Sequence, residues 1–351
     1  MSKKKKKEKI LLVSHEMSYT GAPRSLLNIA KVLRNSEIEV TVWSLKGGDF
    51  QKEFEKEKIP VQIIGNIEDY VCEITKYDLA ILNTIFTAKL VKYFQERVRT
   101  ILYIREAENI SLLVRDCKIS MEDIRSAKEA LCVSEYAEKY IIAHCNPRSL
   151  TVIRNYVKDE YDGSLNIVRN GRIHYLLSGT YEWRKGYDRA IAAFLSMPEK
   201  LKKITYLHIV GRKPEWARRY WETLEKSYDD RIIDHGEIAD EEKRIALYRK
   251  MNVFVIASLD ESCSLVALEG AMLGKALIMS ENVGAQYLDV KKKGIYPTDD
   301  VAMLCRKMCE LTSRRELLIR GIEMRRMYKK TSTEKIYVEK LWKIINGGAV
   351  K

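Results

Sequence analysis

The chain has 351 residues, 46% of them hydrophobic and 32% charged, and 62 Lys+Arg against 49 Asp+Glu give a net charge of +13. That length suggests two domains, and the apolar fraction can fill two cores, which excludes a chain dominated by disorder. The positive surplus leaves nucleic acid, an anionic membrane surface and phosphorylated ligands open as partners.

In chain order, residues 1–9 (MSKKKKKEK) hold six lysines and one glutamate, a net +5 that leaves +8 for the remainder. The run passes straight into residues 10–14 without a signal-peptide apolar region or cleavage site, so the expected location is cytoplasmic. The tail reads either as a solubilising extension or as an arm for an anionic membrane surface. The longest charge-free stretches, such as 79–88, fall well below the ~18 apolar residues of a membrane span. Seven cysteines without a CxxC pair read as reduced thiols. Cys305 and Cys309 have helical spacing and no histidine nearby, which argues against zinc.

Short apolar runs follow at 10–13, 40–43, 61–64, 79–82, 101–104 and 131–133, and the first precedes a helix with Leu26, Leu27, Ala30 and Leu33 on one face. Strands this uniformly apolar are buried on both sides, as in parallel sheets covered by helices. A second series runs through 173–177, 204–210, 232–233, 253–256 and 276–279, with amphipathic segments at 187–195, 216–224, 241–248 and 265–273. Between the two, residues 157–172 are polar, with Asp159, Asp162, Gly163, Asn166 and Asn170, and read as the linker. From about Val301 the pattern is helical, ending in 335–345. The fold class is α/β, with two doubly wound domains expected to face each other across a ligand cleft.

The segment richest in chemistry is 253–280, VFVIASLDESCSLVALEGAMLGKALIMS. A buried strand ends at Ala257, a loop holds Asp260 and Glu261, and a helix follows from about Ser264. Glu269 is the only charge on a helix that is otherwise apolar, so its burial calls for hydrogen-bond donors, and a pair of vicinal sugar hydroxyls supplies two. Unpaired N–H groups at the helix start suit an anion such as a diphosphate. On spacing alone a second reading stands, with Glu269 on a narrow solvent stripe and Glu261 an ordinary loop residue.

The segment resembles the donor-site motif of glycosyltransferase family 4, in Ala257-Ser258, Glu261, Leu265, Leu268-Glu269-Gly270-Ala271-Met272, Gly274, Ile278 and Ser280. Cys263, Ser264 and Ala276 depart from its usual aromatic, glycine and proline. Ser178-Gly179 with Lys185-Gly186-Tyr187-Asp188, Val210-Gly211, His235-Gly236, Thr20-Gly21-Ala22-Pro23, Val133-Ser134 and Ile153-Arg154-Asn155 resemble further landmarks of that family in order. The resemblance implies a GT-B fold of two Rossmann-like domains. It divides the chain into a basic tail (1–9), an acceptor-side domain (10–165), a nucleotide-sugar donor domain (166–332) and a C-terminal helix (333–351) that crosses back to the first domain.

It also implies a retaining glycosyltransferase that moves a sugar from a nucleotide-sugar, by default a UDP-sugar, to a saccharide, lipid-linked or protein-linked glycan in cell-surface polysaccharide or glycoconjugate synthesis. Glu261 and Lys185 are the implied catalytic residues, with Glu261 on donor-sugar hydroxyls and Lys185 on the diphosphate. Gly21, Ala22, Gly211, Ser262, Cys263, Ser264, Leu265 and Glu269 are the implied donor contacts, Glu269 on the ribose. No Asp-x-Asp occurs in the sequence. No metal or other cofactor is therefore expected, and the cation duty falls on Lys185, the helix start near Ser264 and the Gly21-Ala22 amides.

Two departures bear on activity. The family commonly has an arginine where Thr180 stands, and family geometry turns Arg184 elsewhere, which leaves one phosphate-binding charge short. It often has a histidine after 101–104, where this chain has Arg105-Glu106. Arg105 cannot act as a base, and reads either as a holder of an acceptor phosphate or as the partner of Glu106 or Glu108. His15 follows the first strand, facing the cleft, and is a candidate substrate contact beside Arg105 and Glu106. His144, His174 and His208 suggest no metal cluster. Competing classes are a catalytically silent relative that scaffolds an active partner and a nucleic-acid-binding protein, the latter without an aromatic or helix-turn-helix signature to support it.

Overall fold

Each strand expected above is present in a computed structural model of the chain, which describes residues 8–36, 38–117 and 119–348. The lysine tail, up to residue 7, lies outside the described residues. The chain divides into two compact units, Met1–Ile153 with Val338–Lys351, and Arg154–Tyr337.

In the first unit, strands β1 (Lys9–Ser14), β2 (Glu39–Ser44), β3 (Val61–Ile63), β4 (Leu79–Asn83), β5 (Arg99–Ile104), β6 (Glu129–Cys132) and β7 (Leu150–Val152) form a parallel sheet in the order β3-β2-β1-β4-β5-β6-β7. Residues 10–13, 79–82 and 101–104 are buried because helices cover both faces of the central strands. The helix Gly21–Asn35 buries Leu26, Leu27, Ile29, Ala30 and Leu33, as its apolar spacing requires. The strand order reverses between β1 and β4, so a crevice opens beyond their carboxyl ends.

In the second unit, β8 (Ile173–Ser178), β9 (Thr205–Val210), β10 (Ile232–Asp234), β11 (Val253–Ile256), β12 (Ala276–Ser280) and β13 (Ile295–Tyr296) are parallel in the order β10-β9-β8-β11-β12-β13. Tyr175, Leu177, Leu207, Ile209, Val253 and Val255 pack with Ala190, Ile191 and Phe194 of the helix Tyr187–Leu195 and with Leu304 and Met308 of the helix Val301–Glu310. Here the switch point lies between β8 and β11.

The division between units falls after Ile153, twelve residues before the expected boundary at 165. The polar residues that read as a linker are anchors to the second unit. Arg325 pairs twice with Asp159 at 2.8 Å, the Tyr328 hydroxyl donates to the Val157 carbonyl at 2.9 Å, and Asn166 donates to the carbonyls of Asn252 (2.9 Å) and Leu317 (3.2 Å). Strands β7 and β13 are not among the apolar runs read from the sequence. The last helix, Glu334–Ile345, passes from one unit to the other, and Arg99 donates to the carbonyls of Ile344 (2.7 Å) and Ile345 at its end while pairing with Glu129. A cation there complements the partial negative charge of a helix C-terminus. Among the described residues no helix is long and apolar enough to cross a membrane.

Candidate active site

At the second sheet's switch point, β8 runs out into Gly179, and β11 into the loop that precedes the helix Leu265–Met272. A short turn, Trp183–Lys185, closes on Gly186 at φ 64, where a Cβ would lie 2.0 Å from the Ala257 carbonyl oxygen. Glycine lets that turn sit against the end of β11, and the turn delivers Lys185. The Lys185 ammonium hydrogen-bonds Glu261 Oε2, the Ser258 hydroxyl donates to the same oxygen at 3.3 Å, and Arg184 Nη1 lies 3.8 Å from it. Backbone bonds hold the loop, from the Glu261 N–H to the Asn282 carbonyl (3.0 Å) and from the Gly284 N–H to the Glu261 carbonyl (2.7 Å).

Burial pushes the Glu261 carboxyl up, but attraction to Lys185 and Arg184 outweighs it and leaves the group below its ordinary value. Glu261 is thus a charged carboxylate at neutral pH in a mostly buried place. The expectation that Arg184 points elsewhere is corrected. Its guanidinium donates to the Asp260 carbonyl and to Glu182, both at 2.7 Å, and these bonds turn it into the loop. Two cations, not one, face this carboxylate despite Thr180.

Ser262 and Cys263 lead to Ser264, whose hydroxyl caps the helix by accepting from the Ala267 N–H at 3.3 Å. The N–H groups of Leu265 and Val266 lie in the first turn, where a helix offers no internal acceptor. Residues 267–272 are all buried, and Glu269 is 7% exposed, so the solvent-stripe reading of Glu269 fails. Nor does the carboxylate depend on ligand hydroxyls alone, because Arg244 from the helix Glu241–Lys250 pairs with it at 3.1 Å. Sequence reasoning missed this arginine, since it sits among alternating charges on a different helix.

Gly211, read as a donor contact, follows β9. A Cβ there would lie 1.7 Å from the Gly179 carbonyl oxygen, so backbone packing alone already requires glycine. Gly211→Ala is expected to lower stability by about 2 kcal/mol, the scale of overpacking at a site that cannot yield. A chemical-denaturation midpoint equal to the parent's would contradict this.

The first sheet's switch point gathers the acceptor-side candidates. His15 follows β1, and its Nδ1 lies 3.2 Å from the Thr84 hydroxyl while its ring stacks on Phe86 at 4.9 Å. Burial pushes its pKa down, against the opposing pull of Glu16. Thr84, at the end of β4, holds φ 77, a costly conformation for a β-branched residue, of the kind kept at functional sites. Asn83 donates to the Ala22 carbonyl at 3.2 Å and accepts from Arg105 Nε at 2.9 Å, tying the start of the helix Gly21–Asn35 to Arg105. The Arg105 guanidinium also lies over the Tyr103 ring, 3.6 Å from its centroid. Asn83 and Thr84 were not singled out from the sequence, where they end a strand as ordinary polar residues.

Glu106 is 9% exposed and accepts the backbone N–H groups of Arg105 (2.9 Å) and Ile85 (3.2 Å). Burial pushes its carboxyl up to about 7, despite those bonds. A carboxyl raised in the folded state favours folding below its ordinary range, and that contribution is lost as pH rises through about 7. Glu106→Gln removes this loss, so between about pH 5 and pH 8 its Tm is expected to gain on the parent's. Parallel thermal melts across pH check this, and a constant difference would refute it.

His174 on β8, His208 on β9 and His235 just after β10 form a row. His174 Nδ1 lies 2.9 Å from His208 Nε2, and His208 Nδ1 lies 2.9 Å from His235 Nε2. These are ring-to-ring hydrogen bonds, and burial with two imidazole neighbours pushes His208 down to about 3. Among the described residues no group of three or more His, Cys, Asp or Glu side chains is placed to hold a metal ion.

Comparison with known proteins bears on the family and the fold. Residues 172–314 match the family described as glycosyl transferases group 1, and residues 6–108 match that described as glycosyl-transferase family 4. No curated protein sequence matches the chain. Among solved structures, HepE of Anabaena in complex with UDP superposes with a TM-score of 0.81 at 16% identity, over 97% of this chain and 100% of that one. A glycosyltransferase from Rickettsia africae ESF-5 gives 0.77 at 18% identity, over 98% and 99%. WaaG, a glycosyltransferase involved in lipopolysaccharide biosynthesis, gives 0.72 at 15% identity, over 97% and 100%. Fold and matches together define a glycosyltransferase of the GT-B class. The chain belongs to glycosyltransferase family 4.

Proposed function

We propose that the enzyme transfers a sugar from a UDP-sugar, with retention of anomeric configuration, to a saccharide, lipid-linked or protein-linked glycan in cell-surface polysaccharide or glycoconjugate synthesis. The observation that carries this reading is Glu261, kept charged in a buried loop by Lys185 and Arg184 at the switch point of the second sheet. As the bond from the anomeric carbon to the diphosphate breaks, negative charge grows on the departing phosphates. Lys185, Arg184 and the first-turn N–H groups of the helix Leu265–Met272 are preorganised donors for that charge, a duty that other transferases give to a metal. Glu261 accepts from the sugar hydroxyls and Glu269 from the ribose. In the first unit, His15, Thr84 and Arg105 meet the acceptor, and the Arg105 guanidinium suits an anionic acceptor group. UDP in HepE supports the choice of base, and the role of WaaG supports the pathway class.

Calorimetry with a panel of nucleotide-sugars, followed by anomeric analysis of the product by NMR, tests the reading. UDP-sugar binding with an α-donor converted to an α-product supports it. Inversion refutes retention, and binding without transfer to any acceptor in the panel favours a silent scaffold.

The lysines before residue 10 support peripheral contact with anionic lipid at about 1 kcal/mol per lysine near the surface. Deleting residues 2–7 is expected to release the protein from phosphatidylserine vesicles at low salt. Unaltered co-sedimentation would sink that role.

A further inference from the structure

The amino ends of the second sheet's strands lie opposite Lys185 and Glu261, and they carry a cavity of about 180 Å³. It is bounded by the chain entering β8, by the segment joining the helix Glu241–Lys250 to β11, and by Lys275 just before β12. Doubly wound sheets bind ligands beyond their carboxyl ends, so the topology alone gives no reason for a cavity here. Five cationic side chains line it, Arg169, Arg172, Arg249, Lys250 and Lys275, and no acidic residue does.

Two features of this lining are unfavourable without an anion. Asn170 and the residue after it both take positive φ (52 and 69), a two-residue turn that sets Arg169 opposite Arg172 in an antiparallel bridge. Like charges placed directly opposite repel. Lys275 is 4% exposed, and its ammonium donates to the Arg249 carbonyl at 2.7 Å, one acceptor for three N–H donors. Burial pushes its pKa down to about 8, Asp162 opposes that shift and Arg169 adds to it. Asp162 itself lies 3.5 Å from Arg249, so the carboxylate beside the cavity already answers one of the five cations. At the mouth, Leu165 and Ile167 are about half exposed, 52% and 50%, an apolar rim beside the charge.

We propose that this cavity binds a phosphate group, carried by a small phosphorylated molecule or a phospholipid headgroup, with Arg169 and Arg172 clasping it from outside and Lys275 donating from within. Guanidinium forks match phosphate oxygens two at a time, and a dianion between the two arginines turns their repulsion into attraction. The site is separate from the donor site and does not depend on the donor assignment.

Inorganic phosphate titrated into the full-length Lys185→Ala protein tests it by calorimetry, because that background weakens the donor site at the other end of the strands. Arg169 and Arg172 are exposed, so the added pair R169A/R172A keeps the fold, as an unchanged Tm would verify. Phosphate affinity is expected to fall about tenfold or more in that variant, and binding to weaken with added salt. A second arm compares Lys185→Ala and R169A/R172A/K185A, both with the tail intact, on phosphatidylcholine vesicles with and without phosphatidic acid. Loss of co-sedimentation in the arginine variant identifies a lipid headgroup as the source of the phosphate. Equal co-sedimentation together with reduced phosphate affinity identifies a soluble phosphate ligand. No difference between the two proteins in either arm overturns the proposal.

Discussion

Replacing Lys185 with alanine is expected to lower kcat/KM by about 10²- to 10³-fold, the loss typical of removing one preorganised electrostatic donor. Lys185 bonds Glu261 directly, so the change reaches two groups. The departing diphosphate loses a cation, and the Glu261 carboxyl loses the attraction that leads the opposition to its burial. The sign follows. A carboxyl depressed in the folded protein contributes stability above its ordinary range, and that contribution is lost as pH falls through the folded value. Without Lys185 the Glu261 carboxyl rises, so the acid limb of the kcat/KM profile is expected to move to higher pH. Arg184, 3.8 Å from the same oxygen, retains part of the effect and keeps the loss finite. Steady-state kinetics across pH with a UDP-sugar check both parts. An unchanged rate would remove Lys185 from the site, and a lower rate with an unmoved acid limb would show that the lysine acts on the donor alone.

Arg244→Ala is expected to cost about 3 kcal/mol of stability, because it withdraws the cation paired with a carboxylate buried on an otherwise apolar helix. Its partner change, Glu269→Gln, is expected to weaken donor use about tenfold, the scale of one charge-assisted hydrogen bond. Because the two side chains form one pair, the double variant E269Q/R244A is expected to be less destabilised than the sum of its parts. Denaturant midpoints of the single and double variants read the coupling. Strict additivity would mean that the 3.1 Å contact contributes nothing to folding, and an unchanged donor KM in Glu269→Gln would take Glu269 out of the donor site.

The sequence by itself determined the α/β class, the alternation of the strands and the loop that carries Glu261, and it made burial of Glu269 one of two readings between which the structure decided. All of these are written in local pattern. Uniformly apolar runs can be stable only when covered on both faces, and a helix with one charged residue must be buried almost all round. Only the tertiary structure decided which partners those residues meet. Arg184 turns into the Glu261 loop, Arg244 crosses from another helix to Glu269, Asn83 links Ala22 to Arg105, and the polar stretch after Ile153 fastens to the second unit. The histidine row and the cationic cavity arise the same way, from strands and loops brought side by side. Strand order sets these neighbours, and side-chain periodicity within a segment records whether a residue is buried but not which distant residue lies beside it.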